Sequence, residues 1–191
     1  MGLSIPVYAD EESYPLDTVI WQDLNIPVCW EVDKADDIIM KLQNAMRSGW
    51  VREAVKDTWE KNSQLVFSGW GKCTDQDNNG IRISFLKDIN KKDGAHTKGL
   101  GTDLKGKKNG MGLNLIMKKW NSGCVFKYGI ESCVKTVAIH EFGHALGFAH
   151  EQNRNDRPSM CSEKKQQGTN GNAIFTDWDL NSVMNYCRPD Y

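Results

Sequence analysis

The sequence predicts an α+β chain of about five short strands with helices and a small irregular C-terminal part, and three observations predict it. Short runs rich in β-branched and aromatic residues, bounded by Gly and Asn, recur through the first two thirds of the chain. Two other regions carry apolar residues at helical spacing. Beyond Gly147 neither period holds. At 191 residues the expectation is a single domain over 1–191, with an upper lobe of about 18–147 and a small lower lobe of about 148–191 flanking a cleft.

Taken in order, "TVIWQDLNIPVCWEV" (18–32) offers one or two strand segments. The stripe Ile38, Ile39, Leu42, Ala45 and Met46 predicts a helix, and Val51, Ala54, Val55, Thr58 and Trp59 predict a second one, with Ser48-Gly49 as the break between them. "SQLVFSGW", "IRISFLK" and "MGLNLIM" read as strands separated by Gly and Asn turns. Between the last two lies a glycine-rich polar stretch, in which Ala95 to Thr102 is the candidate for a short exposed edge strand. Val134, Val137, Ala138 and Ala145 form a stripe over Ser132 to Leu146, and Gly147 is a good helix stop.

Composition removes several function classes. Twenty-four basic against twenty-five acidic residues, without a long block of either sign, argue against a nucleic-acid or membrane-surface partner. Lys105, Lys107 and Lys108 read as a solvated loop. No apolar run is long enough to cross a bilayer. Met1 to Ile5 lacks the features of a signal peptide, so any signal or pro-segment is expected outside this chain. Six cysteines, an even number, point to disulfides and a secreted protein; reduced cytosolic thiols are the alternative. Position narrows the fifteen pairings that six thiols allow. Cys124 and Cys133 flank a Tyr-Gly turn, Cys161 and Cys187 bracket the C-terminal segment, and Cys29 and Cys73 remain, each beside a strand-like run.

The chemistry concentrates in "HEFGHALGFAH", residues 140 to 150, which holds three of the four histidines. His140 and His144 are four apart, so on a helix their rings share one face and can hold one metal ion. Gly143 keeps that face open, and Gly147 permits the sharp turn that returns His150 as a third ligand. Three neutral nitrogens with an open fourth position describe a catalytic zinc site. Glu141, one position round from the first ligand, lies beside the metal. The plainer reading, histidines merely packed on a helix, does not account for a spacing that matches a metallopeptidase pattern throughout. His96, alone in a polar loop, is read as solvated. "DQDNNG" (75–80) matches the opening of a calcium loop through Asp75, Asp77 and Asn79. Its closing glutamate is absent, with Leu86 at that position, and Asn-Asn-Gly also suits a hairpin turn.

"HEFGHALGFAH" resembles the motif of the metzincin zinc peptidases, and "SVMNYC" (182–187) resembles their Met-turn. Glu151 and "HEQNRNDRP" are similar to the astacin pattern, and the cysteine positions imply a divergent branch of it, expected to be microbial. The resemblance implies a twisted mixed sheet and an active-site helix. It implies a zinc-dependent endopeptidase that hydrolyses peptide bonds through a zinc-activated water. His140, His144 and His150 would then bind zinc, with Glu141 as general base. Met184 would form an apolar floor under the metal. Tyr186 would be an extra ligand able to stabilise the oxyanion, although a buried aromatic satisfied by backbone is the other reading of it. In that family the glutamate after the third histidine receives a freshly cut N-terminus; Met1 does not suit the part, and the role of Glu151 stays open. Arg188 could line the wall after the Met-turn, or lie exposed. The expected partner is a peptide or protein substrate bound by strand addition, with the chain acting alone and its oligomeric state left open. The alternative is the catalytic subunit of a toxin or other assembly with a restricted protein target.

Overall fold

The computed structural model describes residues 14–32, 38–77, 79–87, 92, 94–161 and 165–187, of which 38–45 as backbone only. Among these, five strands form one mixed sheet in the order β2-β1-β3-β5-β4: β1 (Asn25–Glu31), β2 (Val66–Lys72), β3 (Ile81–Phe85), β4 (His96–Thr97) and β5 (Met111–Leu113). β1, β2, β3 and β5 run parallel, and β4 closes the edge antiparallel to β5. Period-two alternation sorts the side chains of the sheet. Ile26, Val28, Trp30, Phe67, Ile81 and Ile83 are buried together in the core, while Glu31 and Arg82 meet across the strands as an ion pair at 2.8 Å. Trp30 stacks on Phe85 with centroids 4.8 Å apart.

The segment between β2 and β3 is not the hairpin that Asn-Asn-Gly suggested, because both strands pair with β1 from opposite sides. The chain crosses the end of β1 instead. So short a crossover works because β3 starts level with Val28, only two residues back from Trp30, where β2 ends. Cys73 donates its N–H to Trp30 O at 2.9 Å and is disulfide-bonded to Cys29, which pins the crossing. Within it, the Thr74 and Asp77 carbonyls both accept from Arg82 Nη1 at 2.8 Å, and Asp75 faces Lys108 at 3.4 Å. The positive charge those carbonyls meet is thus a guanidinium.

The two predicted helices around Ser48-Gly49 are one, α1 (Ile38–Val55), continued by a wider turn over Lys56–Glu60. A mid-helix glycine costs only about 1 kcal/mol. Packing against the last helix outweighs that cost, for Val51, Ala54 and Val55 are fully or nearly buried. Trp59 Nε1 adds a bond to Ile139 O at 3.1 Å. Met46, the last residue of the first predicted stripe, is 55% exposed.

A short helix, α2 (Ser122–Tyr128), leads through Gly129 (φ 81) into α3 (Ile130–Leu146), and Cys124–Cys133 ties the two. α3 is apolar around most of its girth, as a helix packed on several sides must be. Phe142 takes the edge of Phe67 at 5.1 Å and the face of Trp70 at 5.7 Å from the sheet above. Trp70 reaches it from a bulge where the β1–β2 register skips one residue. Past α3 the described chain is irregular apart from two short 3₁₀ turns, and Cys161–Cys187 joins the end of the second turn to the end of the described chain.

Candidate metal centre and cleft

α3 ends at Gly147, whose φ of 109 is a left-handed conformation that glycine adopts without strain; its N–H returns to the Gly143 and His144 carbonyls. Leu16 N–H bonds to Gly147 O and Ala149 N–H to Tyr14 O, so residues 14–16 brace the turn as a short antiparallel bridge. His150 is thereby delivered back beside the helix. His140 Nε2 and His144 Nε2 each approach His150 Nε2, at 3.3 and 3.1 Å.

Which ring nitrogens carry protons follows from their outer partners. His140 Nδ1 bonds to Val183 O at 2.8 Å, His144 Nδ1 to Phe148 O at 2.8 Å, and His150 Nδ1 to Gln167 O at 3.0 Å. A carbonyl oxygen only accepts, so each Nδ1 holds the proton of a neutral imidazole. Burial favours the neutral form throughout: it pushes His140 down to about 4, holds His144 well below its ordinary value with help from the neighbouring rings, and lowers His150. Three Nε2 lone pairs therefore face one another with no proton between them, a repulsive arrangement that a cation resolves. The spacing suits the ion as well. Nitrogens about 2.0–2.1 Å from a tetrahedral zinc stand about 3.3 Å from each other, against the 3.1 and 3.3 Å found. Among the described residues these three form the one cluster able to hold a metal ion.

The other residues singled out in the sequence surround this centre. Tyr186 Oη is 2.8 Å from His140 Nε2, its ring stacked on that imidazole at 5.0 Å. Glu141 is 4% exposed, lines the cleft, and has an Oε2 without a protein partner. Burial pushes its carboxyl up to about 8, a value that a dication alongside would oppose. Met184 is buried against Gly143, where a Cβ would collide with its sulfur. Arg188 lies outside the described residues. Cys161 and Cys187 are joined at the edge of this region, Cys29 and Cys73 in the sheet.

Glu151 does not face the cleft. Its carboxylate meets Arg154 Nη1 at 2.8 Å, and its backbone N–H bonds to Met184 O at 2.9 Å. Burial holds Glu151 above the ordinary carboxylate range, to about 7, outweighing the opposing pull of Arg154 and of the Asp179 N–H. Gln152 Oε1 accepts from Tyr186 N–H at 3.1 Å and so links the third-histidine loop to the Met-turn again.

A cleft of about 270 Å³ opens over the histidines. One wall is the β4 segment, with Ala95, His96, Thr97, Gly99 and Leu100; the other is Gln167, Gly168 and Thr169. The second wall was not legible in the sequence. Nothing in "QQGTN" signals that it folds back over His150, and the hint, the buried Asn153 in "HEQNR", becomes visible only when its contacts are known.

Comparison with known proteins agrees with this geometry. The family model described as Astacin, a peptidase family, matches residues 126–190. The zinc metalloproteinase nas-30 of Caenorhabditis elegans is 32% identical over 111 residues, 44% of this chain and 15% of that protein. The zinc metalloproteinase nas-36 of the same species is 41% identical over 69 residues, 29% of this chain and 11% of that protein. The chain thus spans a small fraction of the length of these relatives. In fold it is similar to myroilysin, with a TM-score of 0.53 at 16% identity, over 90% of this chain and 82% of that one. It is similar also to the hatching enzyme HCE-1 of Oryzias latipes, with a TM-score of 0.50 at 18% identity, over 89% and 74%. From the histidine helix to the last cysteine and just beyond, over residues 126–190, the chain matches the astacin family model, and in fold it is similar to solved astacin-like structures.

Proposed function

We propose that the chain is a zinc-dependent endopeptidase, with His140, His144 and His150 as ligands and Glu141 as general base. The observation that carries this reading is the convergence of three proton-free imidazole nitrogens beside a buried carboxyl in an open cleft. A zinc ion there supplies Lewis acidity, towards water and towards a carbonyl oxygen. Glu141, favoured as carboxylate once a dication stands beside it, accepts the proton of the attacking water and returns it to the leaving amine. Tyr186, in reach of the same centre through its hydroxyl, donates to the developing oxyanion. Met184 supplies an apolar floor and Gly147 the turn that makes His150 a ligand.

The substrate in this reading is a peptide or protein held in extended form. β4 pairs with β5 along one side only, so its outer edge offers backbone donors and acceptors regardless of side chain. The chain works as one domain whose two lobes flank the cleft. It acts outside the cell, without nucleic acid or membrane as partner, in keeping with three disulfides and a net charge of -1. The test is hydrolysis of unfolded protein. A chelator should stop it and added zinc restore it, while Glu141→Gln keeps the zinc and loses about 10²–10⁴ of the rate. A Glu141→Gln variant with full activity would overturn the assignment of the base.

A further inference from the structure

The three carbonyls that orient the histidine rings are not held equally. Phe148 sits at the end of α3, its N–H bonded to Gly143 O at 3.0 Å. Val183 lies in the Met-turn, where Asn185 N–H bonds to Ser182 O at 3.1 Å and Glu151 N–H to Met184 O at 2.9 Å. Gln167 belongs to an irregular stretch, 165–175, with no helix or strand around it. The stretch is tied to Pro15 at Asn172 and Ala173, and among the described residues the Gln167 peptide itself is held by one side chain. Asn153 Nδ2 donates to Gln167 O at 2.8 Å and Asn153 Oδ1 accepts from Gln167 N–H at 3.0 Å, so the side-chain amide pairs with both backbone groups of one residue as a neighbouring strand would.

Asn153 is itself fixed. It is fully buried, its second Nδ2 proton goes to Asn170 Oδ1 at 2.9 Å, and its own N–H bonds to His150 O at 3.0 Å. A closed circuit results, running from His150 through three residues of chain to Asn153, across to Gln167, and back to His150 Nδ1. The same peptide opens the second wall of the cleft, Gln167 to Thr169. Gly168 turns there with a φ of 69, its Cα side close enough to His150 that a Cβ would sit 3.9 Å from Nδ1.

We propose that Asn153 is the positioning residue of the third metal ligand: by fixing the Gln167 carbonyl it sets the orientation of His150 and couples that ligand to the substrate-facing wall. This rests on the reading that the three histidines hold zinc. Partners that orient metal-binding histidines govern metal affinity by about 10–100-fold, and Asn153 acts one bond further out, so about tenfold is expected.

The experiment measures zinc release to excess chelator, with the imidazole N–H proton signals of the zinc-loaded protein read by NMR. Asn153→Asp keeps the shape but turns an acceptor towards Gln167 O and Asn170 Oδ1; Asn153→Ala removes the contacts without adding charge. Both should release zinc about tenfold faster. For the Asp variant this runs against the attraction of an added negative charge for the ion. The His150 Nδ1 proton should exchange with water faster in both, while those of His140 and His144 stay protected. Gln166→Ala, which removes a 3.3 Å bond to the Asn153 carbonyl and leaves both Asn153–Gln167 bonds in place, should match the parent. Unchanged release in both Asn153 variants, or equal loosening of all three imidazole protons, would overturn the proposal and leave the zinc site standing. If the variants do not fold, the parent decides: a His150 proton already in fast exchange beside two protected ones would refute the circuit. A parent that binds no zinc would overturn the proposed function, and this proposal with it.

Discussion

Replacing Arg154 by Met removes a fully buried guanidinium that four groups share. It donates to Glu151 at 2.8 Å, to Asp156 at 2.9 and 2.7 Å, to Thr176 O at 2.8 Å and to Asp177 O at 3.2 Å. The magnitude divides unequally. The Asp156 side chain is 47% exposed, so its pair contributes at most about 1 kcal/mol. Glu151 is 1% exposed, and a buried pair broken from one side costs about 3–5 kcal/mol because the remaining carboxylate must stay unpaired or take up a proton. A loss near the middle of that range, at roughly 2–4 °C per kcal/mol for a domain of this size, lowers the melting temperature by about 8–16 °C. Thermal denaturation of zinc-loaded parent and variant measures it. Glu151→Gln in the Arg154→Met background should recover much of the loss, since the unpaired carboxylate is then gone. A fall below about 1 kcal/mol, or no recovery in the double variant, would refute the view that this pair anchors the third-histidine loop.

Three further outcomes follow from other parts of the fold. Gly143→Ala drives a Cβ into the Met184 sulfur, and since Met184 is buried the displacement should cost about 1–3 kcal/mol in a denaturant titration and weaken zinc binding with it. Tyr186→Phe should lower kcat by about a hundredfold or more with little change in KM; normal turnover would make Tyr186 a packing residue. Glu31 is held below its ordinary value of 4.5 by its hydrogen bond to Arg82, so the unfolded chain takes up the proton first as pH falls. The stabilisation is then complete above pH 4.5 and lost as pH drops through the folded value, and Glu31→Gln should flatten the acid limb of the stability curve; an unchanged limb would contradict the pairing.

The three histidines of the candidate metal centre were legible because their geometry is local. A four-residue spacing on one helix and a glycine able to take φ 109 suffice to bring His140, His144 and His150 together. The strands were legible from their β-branched runs, down to the two-residue edge His96–Thr97 inside a glycine-rich loop. What escaped was decided at long range. Ser48-Gly49 reads as a break because propensity sees only neighbours, whereas burial of Val51 and Val55 against α3 carries the helix through it. Asn-Asn-Gly reads as a hairpin because nothing nearby reveals that β1 lies between β2 and β3. Asn153 and Arg154, polar residues after the third histidine, carry no local sign of burial in the sequence, yet both are fully buried. Apart from Glu151 and Asp156 beside Arg154, their side-chain partners stand 14 to 23 positions further on.

The central claim, a zinc ion held by three imidazoles and no thiolate, is tested most directly by zinc K-edge X-ray absorption on the purified protein. The account predicts about one zinc per chain, a nitrogen or oxygen shell at about 2.0–2.1 Å containing three imidazoles, and loss of one imidazole in His150→Ala. A sulfur shell near 2.3 Å, or a protein that takes up no zinc from zinc-replete buffer, would contradict it.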